Sequence, residues 1–421
     1  MRANTIKSMS FFEQQHFFEK IKTKAKLGIA LFLVLIIFFV VYHAVMSVVF
    51  VSQLPDNLVL SQADIDEFNL RFVSVDYVNS EEVALNDMIS NNQTQSVELN
   101  FKLFNIFNLR KKKAVIEDKR EAYIGGYPIG LSAKIDGIMV GNIGYVQTYA
   151  GKIKPKSDLA EGDIITKINS KKVENANTLS DILNEFTPEC EFVNLTVLRK
   201  GEEINVKATP VIEEVTKKYK LGITVKDSIE GIGTVSFVRD NGSFGSLGHS
   251  MSSHTNSGVL PANKGDVYAC KISGYEKGTK GNPGELKGVF VDVQNPIGQI
   301  EKNSQMGVFG TLNNDYETQK YNIGSRLGVK PGKAKIKTTI NDGKAEYYNI
   351  EIIKTTSQST PQEKGMLIRV TDKKLLSQTG GILQGMSGSP IIQNGKIVGV
   401  VTHVLNSDHT KGYGLYLDWM Y

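Results

Sequence analysis

Six residues near the end of this 421-residue chain, Gly385-Met386-Ser387-Gly388-Ser389-Pro390, hold one hydroxyl in a turn that glycine-rich backbone makes. Glycine reaches positive φ angles and tolerates close approach, so Ser387 is left exposed while the N–H groups of Gly385 and Ser387 aim at one point. That arrangement is an oxyanion hole beside a nucleophile. An isolated Gly-Ser-Pro string is more often a surface turn, but the residues that follow argue against that here. Ile391-Ile392-Gln393 and Lys396–Val401 are apolar strand segments joined at Asn394-Gly395, the signature of a type I′ hairpin.

A serine hydroxyl is a weak nucleophile and needs a base. Of the six histidines, His16 precedes a long apolar segment and His43 lies inside it. His249 ends Gly245-Ser246-Leu247-Gly248-His249, after the apolar stretch Thr234–Val238 and a turn at Asn241-Gly242, and is the candidate base. His254 reads as a solvated loop residue and His409, beside Ser407 and Asp408, as turn chemistry. Thr402-His403 ends the strand after the hairpin and is a candidate wall of a substrate groove, although a packed strand-end histidine fits as well.

A base at a strand end, upstream of the serine, is the order of chymotrypsin-like two-barrel peptidases. Two carboxylates could orient the imidazole. Asp292 follows His249 by 43 residues, the spacing nearer to that template, while Asp372 stands only 15 residues before Ser387. Asp372 also precedes Lys373-Lys374-Leu375-Leu376 and reads as a helix N-cap.

The run from Gly380-Gly381-Ile382-Leu383-Gln384 through Gly385–Pro390 to Thr402-His403 and Gly412-Tyr413-Gly414 closely resembles stage IV sporulation protein B peptidases. Upstream, Gly278-Thr279-Lys280-Gly281-Asn282-Pro283-Gly284-Glu285, Phe309-Gly310-Thr311-Leu312 and Thr371-Asp372 resemble that family too. The resemblance implies a catalytic trio of His249, Asp372 and Ser387, with Asp372 ranked above Asp292, and no metal or organic cofactor. It implies a membrane-anchored serine endopeptidase that processes itself and acts between forespore and mother cell. Its substrate there would be the extracytoplasmic part of a membrane regulator of an intramembrane protease, so that a late sigma factor is processed. This chain departs from the family in Ser250-Met251-Ser252-Ser253 and in ending shortly after Leu417-Asp418-Trp419-Met420, which suggests a variant paralogue.

Where this chemistry sits is read from the other end. Leu27–Val51 carries no formal charge over 25 residues, enough at 1.5 Å per residue to cross a ~30 Å hydrocarbon core. A net +4 precedes it, which places the N-terminus in the cytosol and the remainder outside. A cleaved signal peptide is the competing reading, disfavoured by the length and by the lack of a small-x-small site. Of the overall +5, about +1 is left for the rest, so no nucleic-acid footprint follows. Arg110-Lys111-Lys112-Lys113 reads as a solvated strand end. Cys190 and Cys270 give neither a zinc spacing nor a disulfide framework.

Between anchor and peptidase, Ser96–Ile116 alternates, with Val97, Leu99, Phe101 and Leu103 on one face of a small β element. A capped helical turn is expected around Ser61–Phe68. Residues 121–213 resemble a PDZ domain. Tyr127-Pro128-Ile129-Gly130-Leu131 would be its carboxylate-binding loop, Gly162–Ile165 with Ile168-Asn169 its central strand and turn, and Asn177–Phe186 its groove helix. Such a domain takes a peptide by β-augmentation.

The expected fold is therefore mostly β. It comprises a basic N-terminus (1–26), a transmembrane helix (27–51), a linker with a small β element (52–120), an α+β PDZ domain (121–213) and a chymotrypsin-like double β-barrel serine peptidase domain (214–421). Two other classes compete: a PDZ-bearing quality-control protease, disfavoured because its PDZ follows the protease, and a catalytically idle PDZ adaptor, disfavoured by the presence of Ser387 and His249.

Overall fold

Helix α1 (Phe11–Gln53) contains the 31-residue stretch Lys22–Ser52, long enough to cross a membrane, whose most apolar 18-residue window has a mean hydropathy of 2.8. The computed structural model describes residues 11–54, 57–61, 72–78, 95–117, 120–187, 189–252, 259–279, 281–313 and 319–421. The chain forms two units, Met1–Asp118 and Lys119–Tyr421. In the first, Asn57–Ser61 runs parallel to Phe107–Glu117, which pairs antiparallel with Gln95–Leu103, and Val73–Val78 completes a four-stranded sheet. Val97, Leu99 and Phe101 are buried, as the alternation predicts. The helical turn expected around 61–68 lies, beyond Ser61, outside the described residues.

In the second unit one closed strand network encloses several apolar cores, two of which border the segments of Ser387 and His249. Ile129, Leu131, Val235, Phe244, Val267 and Val308 belong to the first. Around it run Ile223–Val238, Ser243–Ser246, Lys264–Glu276, Gly298–Ser304 and Gly307–Leu312. Ile336, Ile350, Ile368, Ile391 and Val401 belong to the second core. It is walled by Gly332–Thr338, Glu346–Thr355, Met366–Val370, Pro390–Gln393, Lys396–Leu405 and Asp408–Tyr416. The fold is mostly β with a closed barrel, as expected.

The expected domain border at 121 is not where the strands divide. Residues 128–134 of the strand Pro128–Ile143 pair with 228–234 on one edge and with 264–269 on the other. Gly130 and Leu131 are thus interior barrel residues, and their N–H groups are not open to a terminal carboxylate. Glycine is needed at 130 for another reason: a Cβ there would lie 2.4 Å from the Phe290 ring.

The smaller lobe starts about Ile138, where the same strand joins a core of Ile138, Val140, Ile165, Leu179, Leu195 and Val206. It contains Ile164–Ile168, a turn at Asn169-Ser170 with φ of +46° and +69°, and helix α2 (Ala176–Leu183). Asn175 caps α2 by accepting a hydrogen bond from Thr178 N.

Candidate active site

Helix α3 (Lys373–Thr379) leads into the serine loop and ends at Gly380 with φ of +79°. The next residues are held by their neighbours. Gly278 N donates to Thr379 O, Leu286 N to Gln384 O and Gln384 N to Gly284 O, so the glycine-rich 278–285 motif is a clasp on this loop. Gly381 passes so close to His409 that a Cβ would meet its carbonyl at 2.2 Å. His409, 8% exposed, packs beneath the loop and is not the turn residue its sequence neighbours suggest.

At the serine, Gly385 and Gly388 have φ of +92° and +95°, as the sequence predicts. Gly388 N donates to Val401 O and Ser389 N to Met386 O. Among the described residues no acceptor takes the N–H of Gly385 or of Ser387. Two donors on the same short turn are therefore available to a developing oxyanion. Past the loop, Asn394 and Gly395 have φ of +51° and +76°, the type I′ hairpin expected there.

His249 follows Ser243–Ser246 through Leu247 and Gly248, whose φ values are +67° and +71°. Gly388 abuts this segment: a Cβ on it would lie 2.5 Å from Leu247 N. Gly248 lies against Val400 and Thr402, and the Ser387 Oγ donates to Thr402 O at 2.6 Å. The segment ending in His249 and the Ser387 loop thus converge on one stretch of strand. The His249 Nδ1 lies 2.9 Å from Ser250 O. A carbonyl only accepts, so the neutral ring carries its proton on Nδ1 and presents Nε2 as a lone pair.

Neither candidate carboxylate has that role in this structure. Asp372 accepts from Lys374 N and Leu375 N as the N-cap of α3, and from Asn349 N and Nδ2. Asp292 is exposed and bonded to Gln294 N, Asn295 N and Asn295 Nδ2, which hold its carboxyl below the usual range. Among the described residues no hydrogen bond joins either to His249. A backbone carbonyl as the partner of Nδ1 has no sequence signature.

His403, by contrast, is at the site. Its ring centroid is 5.2 Å from that of His249. Burial, then His249 and Lys364, pull its imidazole down to about 4, so it is neutral at neutral pH. Thr402 is 3% exposed and its Oγ1 bonds Tyr413 O and Glu363 O, so it offers the site its backbone only. His254 lies outside the described residues. Among them, no cluster of three or more His, Cys, Asp or Glu could hold a metal ion.

A glycine-framed serine with free N–H donors, and a histidine segment held against the same stretch of strand, are the parts a serine peptidase uses. Residues 217–421 match the family model described as SpoIVB peptidase S55, and this C-terminal part of the chain belongs to that family. No curated protein matches the chain. Among solved structures it is similar to the inactive form of the Rv3671c protease, at 15% identity over 45% of this chain and 79% of that one. The TM-score of that match is 0.24.

Proposed function

We propose that this chain is a membrane-anchored serine endopeptidase of sporulation signalling, with Ser387 as nucleophile and His249 as general base. The family match over the whole site-bearing segment is the observation that carries the proposal. Ser387 Oγ attacks the scissile carbonyl while His249 Nε2 takes its proton and returns it to the leaving amine; water then cleaves the acyl-enzyme by the same route. Gly385 and Ser387 N–H groups stabilise the oxyanion. Asp372 is a positioning residue, capping the helix that leads to the serine loop.

Helix α1 anchors the chain, with the N-terminus cytosolic and the peptidase in the space between forespore and mother-cell membranes. The substrate is the extracytoplasmic part of a membrane regulator of an intramembrane protease, and the chain also cleaves itself between anchor and peptidase. The strand Lys396–Leu405 supplies the substrate edge. On the side facing Ser387 its pairing with Pro390–Gln393 ends at Val400 and its backbone bonds to Gly388 and Ser389 end at Val401, which leaves the backbone around Thr402 and His403 to receive a peptide.

The smaller lobe is the PDZ-like module. A groove of about 600 Å³ runs between Ala176, Leu179 and Leu183 of α2 and the segment Tyr219–Val225. Among the described residues Ile223–Lys226 has a strand partner on one edge only, so the other edge can take an added strand there.

The test is cleavage in reconstituted vesicles carrying a membrane-tethered regulator of an intramembrane protease. Wild-type protein should shorten both the regulator and itself, and Ser387→Ala neither. A shortened chain in purified Ser387→Ala would exclude self-processing, and an intact regulator beside active wild type would exclude this substrate.

A further inference from the structure

The hairpin joining Gln95–Leu103 to Phe107–Glu117 ends in a tip that its sheet does not explain. Phe104 and Asn105 have φ of +53° and +60°, and Ile106 N closes the turn onto Leu103 O. Phe104, Ile106 and Phe107 are 40%, 71% and 62% exposed, and the Phe104 ring packs on Phe72 at 5.2 Å. Three large apolar side chains on one exposed turn need a partner.

Strand register says where the tip points. Asn57, three residues beyond Leu54 at the foot of α1, lies beside Lys113, and the two strands run parallel. From Lys113 back to Phe107 is six residues, ~20 Å at ~3.3 Å each, directed opposite to the path by which the chain leaves α1. The helix carries a matching imprint. Val40, His43, Ala44, Ser47, Phe50, Val51 and Leu54 are shielded, while Val41, Tyr42, Val45, Met46, Val48 and Val49 are exposed. That stripe recurs every three or four residues and is ~21 Å long at 1.5 Å per residue. Both hairpin strands contact α1. The hairpin therefore lies along the last turns of the helix, with its tip directed back toward the apolar part of α1.

We propose that the tip Phe104–Phe107 is a second membrane contact, seated in the interface of the bilayer that α1 crosses; this rests on α1 being an anchor. The hydrocarbon-crossing part of α1 is then Leu27 to about Ala44, ~27 Å, close to the ~30 Å of a bilayer core. Ser47–Leu54 stands outside it, with the face of Ser47, Phe50, Val51 and Leu54 covered. Arg110, exposed three residues past the tip, is placed for anionic headgroups, beside Lys111 paired with Glu98. An apolar tip with a cation just above it is the pattern of an interfacial element.

The test uses Ile106→Trp and Phe107→Trp separately in the full chain, whose one native tryptophan is Trp419. Each is reconstituted into phosphatidylcholine vesicles, with and without phosphatidylglycerol, and with acyl-brominated phospholipid. The added tryptophan should emit to the blue and lose about half its emission on brominated lipid, as for a ring ~5–10 Å into the boundary. Arg110→Glu should weaken that quenching in the anionic vesicles. Emission quenched by aqueous iodide and not by bromine puts the tip in water and overturns the proposal. Blue emission insensitive to both means a protein partner and overturns it too. Protein stripped from vesicles by alkaline carbonate shows instead that α1 is no anchor, and the proposal falls with it.

Discussion

The Ser387 hydroxyl gives its hydrogen bond to Thr402 O in this structure, so attack requires rotation about its Cα–Cβ bond toward His249. One rotamer change costs little, and a substrate strand competing for that carbonyl would promote it. Ser389, two residues on, is fully buried with an Oγ that meets no acceptor or donor among the described residues. Ser389→Ala should keep most activity and leave stability unchanged or higher, since a buried hydroxyl without a partner is a cost; a peptidase assay with a melting curve checks both. Asp372 is where residue types and geometry diverge. Asparagine caps a helix about as well as aspartate, so Asp372→Asn should keep turnover within about tenfold, while Asp372→Ala loses ~1 kcal/mol of stability. A drop of ~10⁴ in kcat for the Asn variant would mean that its charge orients the imidazole after all. The serine turn with its positive-φ glycines was legible in the sequence because that backbone needs a particular residue type. The partner of the His249 Nδ1 was not, because any residue could supply the carbonyl at Ser250.

At the scale of elements, the serine loop is held by contacts that only glycine permits. A Cβ at Gly388 would lie 2.2 Å from Thr234 O, and its φ is +95°, so Gly388→Ala combines a clash with left-handed strain. It should cost about 1–3 kcal/mol, read as a lower urea midpoint, and should reduce activity further by moving Ser387. His403, at the edge of the same strand, makes stability depend on pH. Its folded value of about 4 lies below the ordinary 6.5, so between those values the unfolded chain binds a proton that the folded one refuses. The stabilisation is complete above about 6.5 and is lost as pH falls toward 4. His403→Gln should flatten the dependence of Tm on pH across that window. The hairpin at Asn394-Gly395 and helix α2 were readable, since turn chemistry and helical periodicity are local. The strand Pro128–Ile143 was misread as beginning a separate domain, because its partners lie some 100 residues and more away and leave no mark on its own composition.

Across the peptidase unit, a buried charge cluster joins its first strand region to its last turn. Arg120 Nη1 meets Asp418 Oδ1 at 2.8 Å, and Arg326 N and Nη1 meet Oδ2 at 2.7 and 3.2 Å, all three side chains being nearly fully buried. Arg326 also lies over the Trp419 ring at 4.4 Å. Removing the shared carboxylate leaves two buried cations, so Asp418→Ala should cost ~3–5 kcal/mol, measured by denaturant unfolding. Cluster and barrel alike serve to bring one hydroxyl, one imidazole and two free N–H groups toward one stretch of strand from segments far apart in the chain. The most direct test of that assembly is to treat the full chain with a fluorophosphonate and map the adduct by mass spectrometry. Ser387 should be the one phosphonylated residue, with labelling abolished in Ser387→Ala and slowed by orders of magnitude in His249→Ala. Adduct on Ser389 or on another serine, or undiminished labelling in His249→Ala, would contradict it.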